Sequence, residues 1–286
     1  MGRAPGRSQA GPRPLGGPSD VLVGRGANVN TLHVVSRDNP LLVRLRKLAR
    51  DPAAHRRQGE VWIEGDHLCS ACVARGQPIV QAVITESAWQ QPLLRALAQA
   101  APRIVIVKDS LFAQFSGLES PASIGFVLPW RAQNELRPDA ASVVLDRLQD
   151  SGNVGSVLRS AAAFGFAQVI ALKGTAALWS PKVLRAGMGA HFGLHLVDAV
   201  DESALDRLAV PLIATSSHAA DALHRAELPW PCAWVLGHEG QGASPQVMRR
   251  CLRTVRIAQP GGEESLNAAA AAAVCLYESA RRRDPA

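Results

Sequence analysis

Leu145-Asp146-Arg147-Leu148-Gln149-Asp150-Ser151-Gly152-Asn153-Val154-Gly155-Ser156-Val157-Leu158-Arg159 reads as the end of a strand, a tight loop and a helix opening at Asn-x-Gly. The residues before it, Ala141-Ser142-Val143-Val144-Leu145, are apolar and β-branched enough for a buried strand. In the helix, Val154, Val157, Leu158 and Ala161 stand at i, i+3, i+4 and i+7 and form one apolar stripe. Arg159 points away from that stripe, towards the side carrying Gly155, Ala162 and Ala163, all small. A guanidinium on a helix lined by small residues, with an asparagine at the helix start, suits an anionic ligand. A solvated arginine and an asparagine that only caps the helix satisfy the same pattern.

Two later segments bear on that choice. Ala233-Trp234-Val235-Leu236-Gly237-His238-Glu239-Gly240-Gln241-Gly242 is an apolar strand entering a loop with three glycines. Val255-Arg256-Ile257-Ala258-Gln259-Pro260-Gly261-Gly262-Glu263-Glu264-Ser265-Leu266-Asn267 is a short strand, a Pro-Gly-Gly turn and the start of a helix with six consecutive alanines, 268–273. Glycines let backbone groups approach a ligand without Cβ obstruction. Each segment alone is commonplace. In this order and spacing the three resemble the signature motifs of the SpoU (TrmH-like) family of RNA 2′-O-ribose methyltransferases: Asn-x-Gly-x-x-x-Arg, Leu-Gly-x-Glu-x-x-Gly, and Ile-Pro-Met-x-Gly-x-x-x-Ser-Leu-Asn. The first is complete from Asn153 to Arg159 and the second from Leu236 to Gly242. The third runs from Ile257 to Asn267 with Ala258 and Gln259 where the family usually has Pro and Met. The resemblance covers residues 140–280 and continues less specifically into the N-terminal half.

Composition agrees with a soluble RNA-acting enzyme without requiring one. The 286 residues allow one large domain or two ordinary ones, and a hydrophobic content of 47% is enough for a packed core. No apolar run is long enough for a membrane span, so no membrane partner is expected. The formal charge of +7 fits a polyanionic partner. The cysteines at 69, 72, 232, 251 and 275 are odd in number and scattered, as for buried thiols in a reducing cytoplasm. Cys69-Ser70-Ala71-Cys72 is a lone C-x-x-C in a helical pattern, and no metal is expected there. The glycines of the 237–242 loop follow a late strand, which argues against a Rossmann-type nucleotide enzyme.

Residues 1–30, rich in Gly, Pro and Arg, are expected to be a disordered tail and not a secretory signal. Order is expected to begin near Val34. A basic helix over 41–50, strands over 61–64, 79–85, 103–107 and 122–127, and a helix over 66–74 predict a small α/β domain over 31–128. Residues 128–139 read as a linker. Strands are expected over 141–146, 167–172, 193–197, 210–215, 232–236 and 254–258. Helices are expected over 153–164, 181–188, 202–208, 245–251 and 265–282. This is a parallel α/β layer, with ligands at strand C-terminal ends.

The family resemblance implies more. It implies a trefoil-knotted parallel-sheet methyltransferase domain over 140–286, a homodimer, and S-adenosylmethionine held by backbone groups at Gly237, Ile257 and Leu266. It implies that Asn153 holds the ribose-phosphate and that Glu239 orients the site or partners Arg159. Ser265 is expected to cap the last helix, with Asn267 near the substrate. Arg159 is the residue expected to carry the chemistry. A guanidinium with a pKa above about 12 is a poor base, so its physical role is to stabilise the developing alkoxide and pair with a phosphate. Ser36-Arg37-Asp38-Asn39-Pro40 and Glu64-Gly65-Asp66-His67 resemble the family's accessory RNA-binding domain. Arg37, Asn39, Arg44, Arg46 and Lys47 are its candidate RNA contacts, and Lys182 and Arg185 candidates on the second domain, with simple surface solvation as the alternative. The accessory domain favours ribosomal over transfer RNA as substrate. A catalytically weak RNA-binding or ribosome-assembly protein of the same fold is the alternative reading.

Overall fold

The computed structural model describes residues 30–261 and 266–283, which form two sheets with helices on both faces of each. The N-terminal sheet contains β1 (Asn30–Val34), β2 (Glu60–Glu64), β3 (Gln81–Thr85), β4 (Arg103–Val107) and β5 (Ile124–Pro129) in the order β1-β4-β3-β5-β2. β1, β4 and β3 are parallel, and β5 runs antiparallel to β3 and β2. The helices of this half are α1 (Pro40–Arg50), α2 (Ala54–Gln58), α3 (Asp66–Ala74), α4 (Glu86–Trp89), α5 (Pro92–Ala98) and α6 (Asp109–Phe115). Strand alternation divides the core. Ile63, Ile84 and Ile106 face Cys69, Cys72 and Ala98 of α3 and α5. Trp62, Val83 and Val105 face Leu42 and Leu45 of α1 and Phe112 of α6.

The second half is β6 (Ser142–Asp146), α7 (Ser151–Ala163), β7 (Gln168–Leu172), α8 (Pro181–Gly187), β8 (His195–Val200), β9 (Leu212–Thr215), β10 (Asp221–Ala222), β11 (Ala233–Gly237), α9 (Pro245–Met248), β12 (Cys251–Arg256) and α10 (Ala268–Arg283). Its strands lie in the order β10-β12-β9-β11-β6-β7-β8, and every pairing is parallel. A parallel sheet covered on both faces needs strands that are apolar on both sides. Val143 and Leu145 accordingly join the core under α7 and α10, while Val144 between them joins the opposite one. Among the described residues no helix is long and apolar enough to cross a membrane.

Several boundaries differ from the sequence expectation. Order starts earlier than Val34, because β1 pairs from Asn30 with the start of β4. The rest of the expected tail, 1–29, and Ser265 lie outside the described residues. The expected 202–208 helix is a 3-10 stretch, Glu202–Arg207, and another 3-10 turn, Ala190–Gly193, delays β8 to His195. Leu128 and Pro129 belong to β5, not to the linker. The rest of the connection is tied to the second sheet: Gln168 bonds the backbone N–H and C=O of Arg137, and the His195 ring donates to the Glu135 carbonyl. Of the first-half motifs, Asn39 caps α1 by accepting from the Leu41 N–H. Glu64 accepts from the Ser116 hydroxyl and from the backbone of Gly117 and Ala122, holding that loop.

The two halves share a packed interface. Leu184 of α8 and Phe192 sit in the core of the first half beside Cys72. Gly189 (φ +87°) lies where a Cβ would come within 2.8 Å of the Ala71 methyl, so α3 packs directly on this turn. Arg56 pairs with Asp198 at 2.8 Å across the junction. Within the second half, α7 crosses α8 at Gly155, where a Cβ would stand 2.4 Å from that of Ala186. The small residue at 155 therefore serves helix packing and not an open ligand channel.

Two stability predictions follow from this packing. Gly155→Ala forces α7 from α8 and is expected to cost roughly 1–3 kcal/mol in urea unfolding at pH 7, the usual range for overpacking. His191 is fully buried, its Nε2 bonded to the Leu178 carbonyl at 2.8 Å. Burial lowers its pKa from the ordinary 6.5 to about 4. The folded state thus keeps it neutral while the unfolded chain takes a proton below pH 6.5, so stability falls as the pH drops from 6.5 towards 4. The loss is about 3 kcal/mol at most, at roughly 1.36 kcal/mol per pH unit. Urea midpoints at pH 7 and 4.5 measure it, and His191→Gln is expected to flatten the slope.

Candidate functional site

The ends of β6, β9, β11 and β12 open onto one edge of the parallel sheet, and the loops that follow them meet there. The loop after β11 is held first. Asp146, at the end of β6 and buried, accepts from the Ser244 N–H at 2.5 Å. The next residue, Arg147, adopts φ +59°, an uncommon conformation for a side-chain-bearing residue. Its N–H donates to Thr175 Oγ1, and its guanidinium reaches Asp146, Gln241 and the Gly242 carbonyl at 3.1–3.4 Å. Gly237 has no room for a side chain, since its Cβ would lie 2.0 Å from the Ala243 nitrogen. The glycine is required by the loop folding back on the strand end.

Three side chains from three separate loops then join. Glu239 accepts from the N–H groups of Gln149 and Asp150 at 3.4 and 3.1 Å and from Asn153 Nδ2 at 3.3 Å. Asn267 Nδ2 donates to Asn153 Oδ1 at 3.0 Å. Partial burial pushes the Glu239 carboxyl up, but hydrogen bonds from its own backbone, Asp150, Asn153 and Gln149 outweigh this and hold it below the usual carboxylate range. It is therefore an ionised acceptor beside the start of α7, where the helix dipole favours negative charge. Asn153 is not the cap of α7. Asp150 is, accepting from the Asn153 N–H at 2.7 Å. The side chain of Asn153 is thereby free for the site, one turn into the helix. Asn267 caps α10, its Oδ1 accepting from Ala269 and Ala270; Ser265, the expected cap, lies outside the described residues.

Beside this network lies a cleft of about 400 Å³. Ile257, Leu266, Met248 and Ala271 give it apolar walls, the 238–243 loop forms one side, and Thr215, Ser216 and His218 after β9 form another. Gln259 also lines it, and its Oε1 is buried without a hydrogen-bond partner. The β9 loop escaped sequence reasoning, although a Thr-Ser-Ser-His run directly after a strand is the kind of polar punctuation that marks such a wall. Asp146 and Arg147 were also missed, because their task depends on contacts about 95 residues away.

Arg159 stands apart. It is exposed, does not line the cleft, and makes no ion pair or hydrogen bond among the described residues. Six residues beyond Asn153, it is about 9 Å along the axis and about 120° round the helix. The expected partnership with Glu239 is absent, because Glu239 is engaged by Asn153 and the 149–150 backbone. The other candidates are dispersed. Arg44 is tied to Glu60 at 3.2 Å, and Arg37 lies 3.9 Å from Asp38. Arg46 is half-buried and Lys47 exposed on α1. Arg185 donates to the Gly117 carbonyl, and with exposed Lys182 it lines a second cleft of about 550 Å³ at the junction of the halves.

Comparison with known proteins was made against this geometry. Residues 140–277 match the SpoU rRNA Methylase family. The chain is 32% identical over 266 residues to an uncharacterised tRNA/rRNA methyltransferase of Synechocystis, covering 87% of this chain and 94% of that protein. It is 28% identical over 244 residues to a 23S rRNA (uridine(2479)-2′-O)-methyltransferase of Streptomyces viridochromogenes, covering 79% and 84%. It superposes on the SpoU methyltransferase AviRb of Streptomyces viridochromogenes in complex with AdoMet with a TM-score of 0.78 and 26% identity, covering 86% and 98%. With its three motifs converging on one sheet edge, the chain belongs to the SpoU rRNA methylase family.

Proposed function

We propose that this protein is an S-adenosylmethionine-dependent RNA 2′-O-ribose methyltransferase acting on ribosomal RNA. The observation that carries the reading is the Glu239–Asn153–Asn267 network, which joins the three motifs beside a cleft of ligand size. The donor fits the residues present: the cleft sets an apolar wall of Met248, Ile257, Leu266 and Ala271 against polar loops, and the buried Gln259 Oε1 wants a hydrogen-bond donor, which the amino group of an adenine offers. Ile257, Leu266 and Gln259 are the residues to hold it, with Gly237 keeping the opposing loop in place. S-adenosylmethionine supplies an electrophilic methyl group on a sulfonium sulfur. The rRNA substrate agrees with the names of relatives, among them several 23S rRNA (guanosine-2′-O-)-methyltransferases.

The protein's own contribution is to present the ribose. Asn153 is fixed at both ends of its amide, by Glu239 and Asn267, leaving one N–H and one lone pair for a ribose-phosphate. Arg159 stabilises the developing 2′-alkoxide and pairs with a phosphate, which accepts the proton. Its distance from its own subunit's cleft supports a homodimer in which it serves the partner's donor site. Exposed Val274 and Tyr277 on α10, the latter edge-on to Phe164 after α7, give that face an apolar patch suited to a second copy. In the same reading residues 31–128 are an accessory RNA-binding domain and 140–286 the catalytic domain, whose C-terminal segment is threaded as a trefoil knot. Asn39 then shapes the start of α1, Arg46 and Lys47 offer phosphate contacts, and the enzyme works in the cytoplasm. Ser265 completes the third motif.

Mapping 2′-O-methylation on ribosomal RNA from a deletion strain tests the activity, which predicts one ribose that loses its methyl group. Arg159→Ala is expected to lower tritiated-methyl transfer to RNA at least about a hundredfold, the scale of losing a transition-state donor. Calorimetric affinity for S-adenosylmethionine is expected to stay within about threefold, and Arg159→Lys to remain poorly active because it lacks the planar fork. Gly237→Val is expected to abolish donor binding instead, by displacing the loop. Equal loss of donor binding in both variants would remove Arg159 from the ribose. For the dimer, sedimentation is expected to give two chains per particle at micromolar concentration, and Tyr277→Glu to shift it to one chain with loss of transfer.

A further inference from the structure

The N-terminal sheet has an uncovered end. β1 and β3 both pair with β4, with Leu32 and Val83 each opposite Val105, so these three side chains share a face. Leu42 and Leu45 of α1 cover that face beside Val83 and Val105. Two residues earlier in each strand, Gln81 and Arg103 share the face at its open end, where Leu32 is 55% exposed. A cleft of about 490 Å³ lies there, floored by Leu32, Leu41 and Val105.

Three side chains that carry donors, Gln81, Arg44 and Arg103, line this cleft. Gln81 is 6% exposed, and its Nε2 is buried without a partner. Arg44 Nε is likewise buried and unpaired, while its Nη1 is occupied by Glu60. Arg103 is exposed and unpaired among the described residues. Buried donors are nearly always satisfied in a finished protein, so what completes this site brings acceptors. An apolar floor with an amide donor at depth and a guanidinium at the rim matches a nucleobase with a carbonyl or ring nitrogen inward and a phosphate outward. Bases are reached this way when they are unpaired and splayed from the strand. We propose that this cleft captures one unpaired nucleotide of the RNA substrate, Gln81 reading the base edge and Arg103 the phosphate. The proposal rests on the reading of the protein as an RNA enzyme and adds a site in the other half of the chain from Asn153.

The test uses the full chain, with Arg103→Glu, Arg103→Ala and Gln81→Leu as variants. The probes are a fluorescein-labelled, mixed-sequence ten-nucleotide single-stranded RNA, its duplex, and S-adenosylhomocysteine. In fluorescence anisotropy at fixed salt, Arg103→Glu is expected to weaken single-strand binding at least about tenfold and Gln81→Leu about three- to tenfold, with a smaller effect on the duplex. Arg103→Ala is expected to reduce the slope of log K against log salt by about one. Calorimetric affinity for S-adenosylhomocysteine is expected to be unchanged, which also shows that the variants fold. Single-strand affinity unaltered in Arg103→Glu and Gln81→Leu overturns the assignment. A lowered melting temperature with unaltered RNA affinity overturns it too, and makes the cleft a seat for another segment of this chain. Failure of the wild-type protein to bind S-adenosylhomocysteine would sink the methyltransferase reading instead.

Discussion

The hydrogen-bond chain from Glu239 through Asn153 to Asn267 is the constraint around which the second half is arranged. It joins residues 86 and 114 positions apart, so it exists only if the ends of β6, β11 and β12 reach the same edge. A parallel sheet does this, because its connections return every strand to the same starting edge and leave all the C-terminal loops together. The carboxylate at one end is ionised and accepts three hydrogen bonds, and the amide at the other end also caps the last helix. A change in any of the three loops is therefore felt in the other two.

Support for this chain comes from positions with no ligand chemistry. Asp146, buried at the strand end, and Arg147, in a left-handed conformation, hold the second-motif loop against β6. Gly155 lets α7 close onto α8, and α8 in turn carries Leu184 into the core of the first half. The site and the first half of the chain are thus linked by packed side chains. On the proposed reading, an RNA held on the first half is presented to the site at a defined distance, which suits an enzyme that selects one ribose in a large folded molecule.

Much of this was legible in the chain. Alternating apolar strands and one-striped helices gave the parallel layer, and Asn153, Glu239 and Asn267 stand in motifs that the resemblance to a known family marked as a site. Boundaries were less legible where capping residues competed. Asp150 and Asn153 both suit a helix start, and the choice fell to Asp150 because its side chain reaches the N–H three residues on. The start of β1 was hidden because Asn30-Thr31-Leu32 has little strand character of its own and is held by its pairing with β4.

The sequence by itself determined the layer type, the three motifs and the basic balance, because periodicity, glycine placement and charge are local properties. Tertiary structure decided which groups meet. It gave Glu239 to Asn153 and left Arg159 facing outward, since residues six apart on a helix cannot share a face. It assigned Gly155 and Gly237 to close packing by bringing Ala186 and Ala243 against them. It also exposed the unpaired donors of Gln81 and Arg44, because whether a buried polar atom is satisfied depends on every neighbour that the fold brings to it.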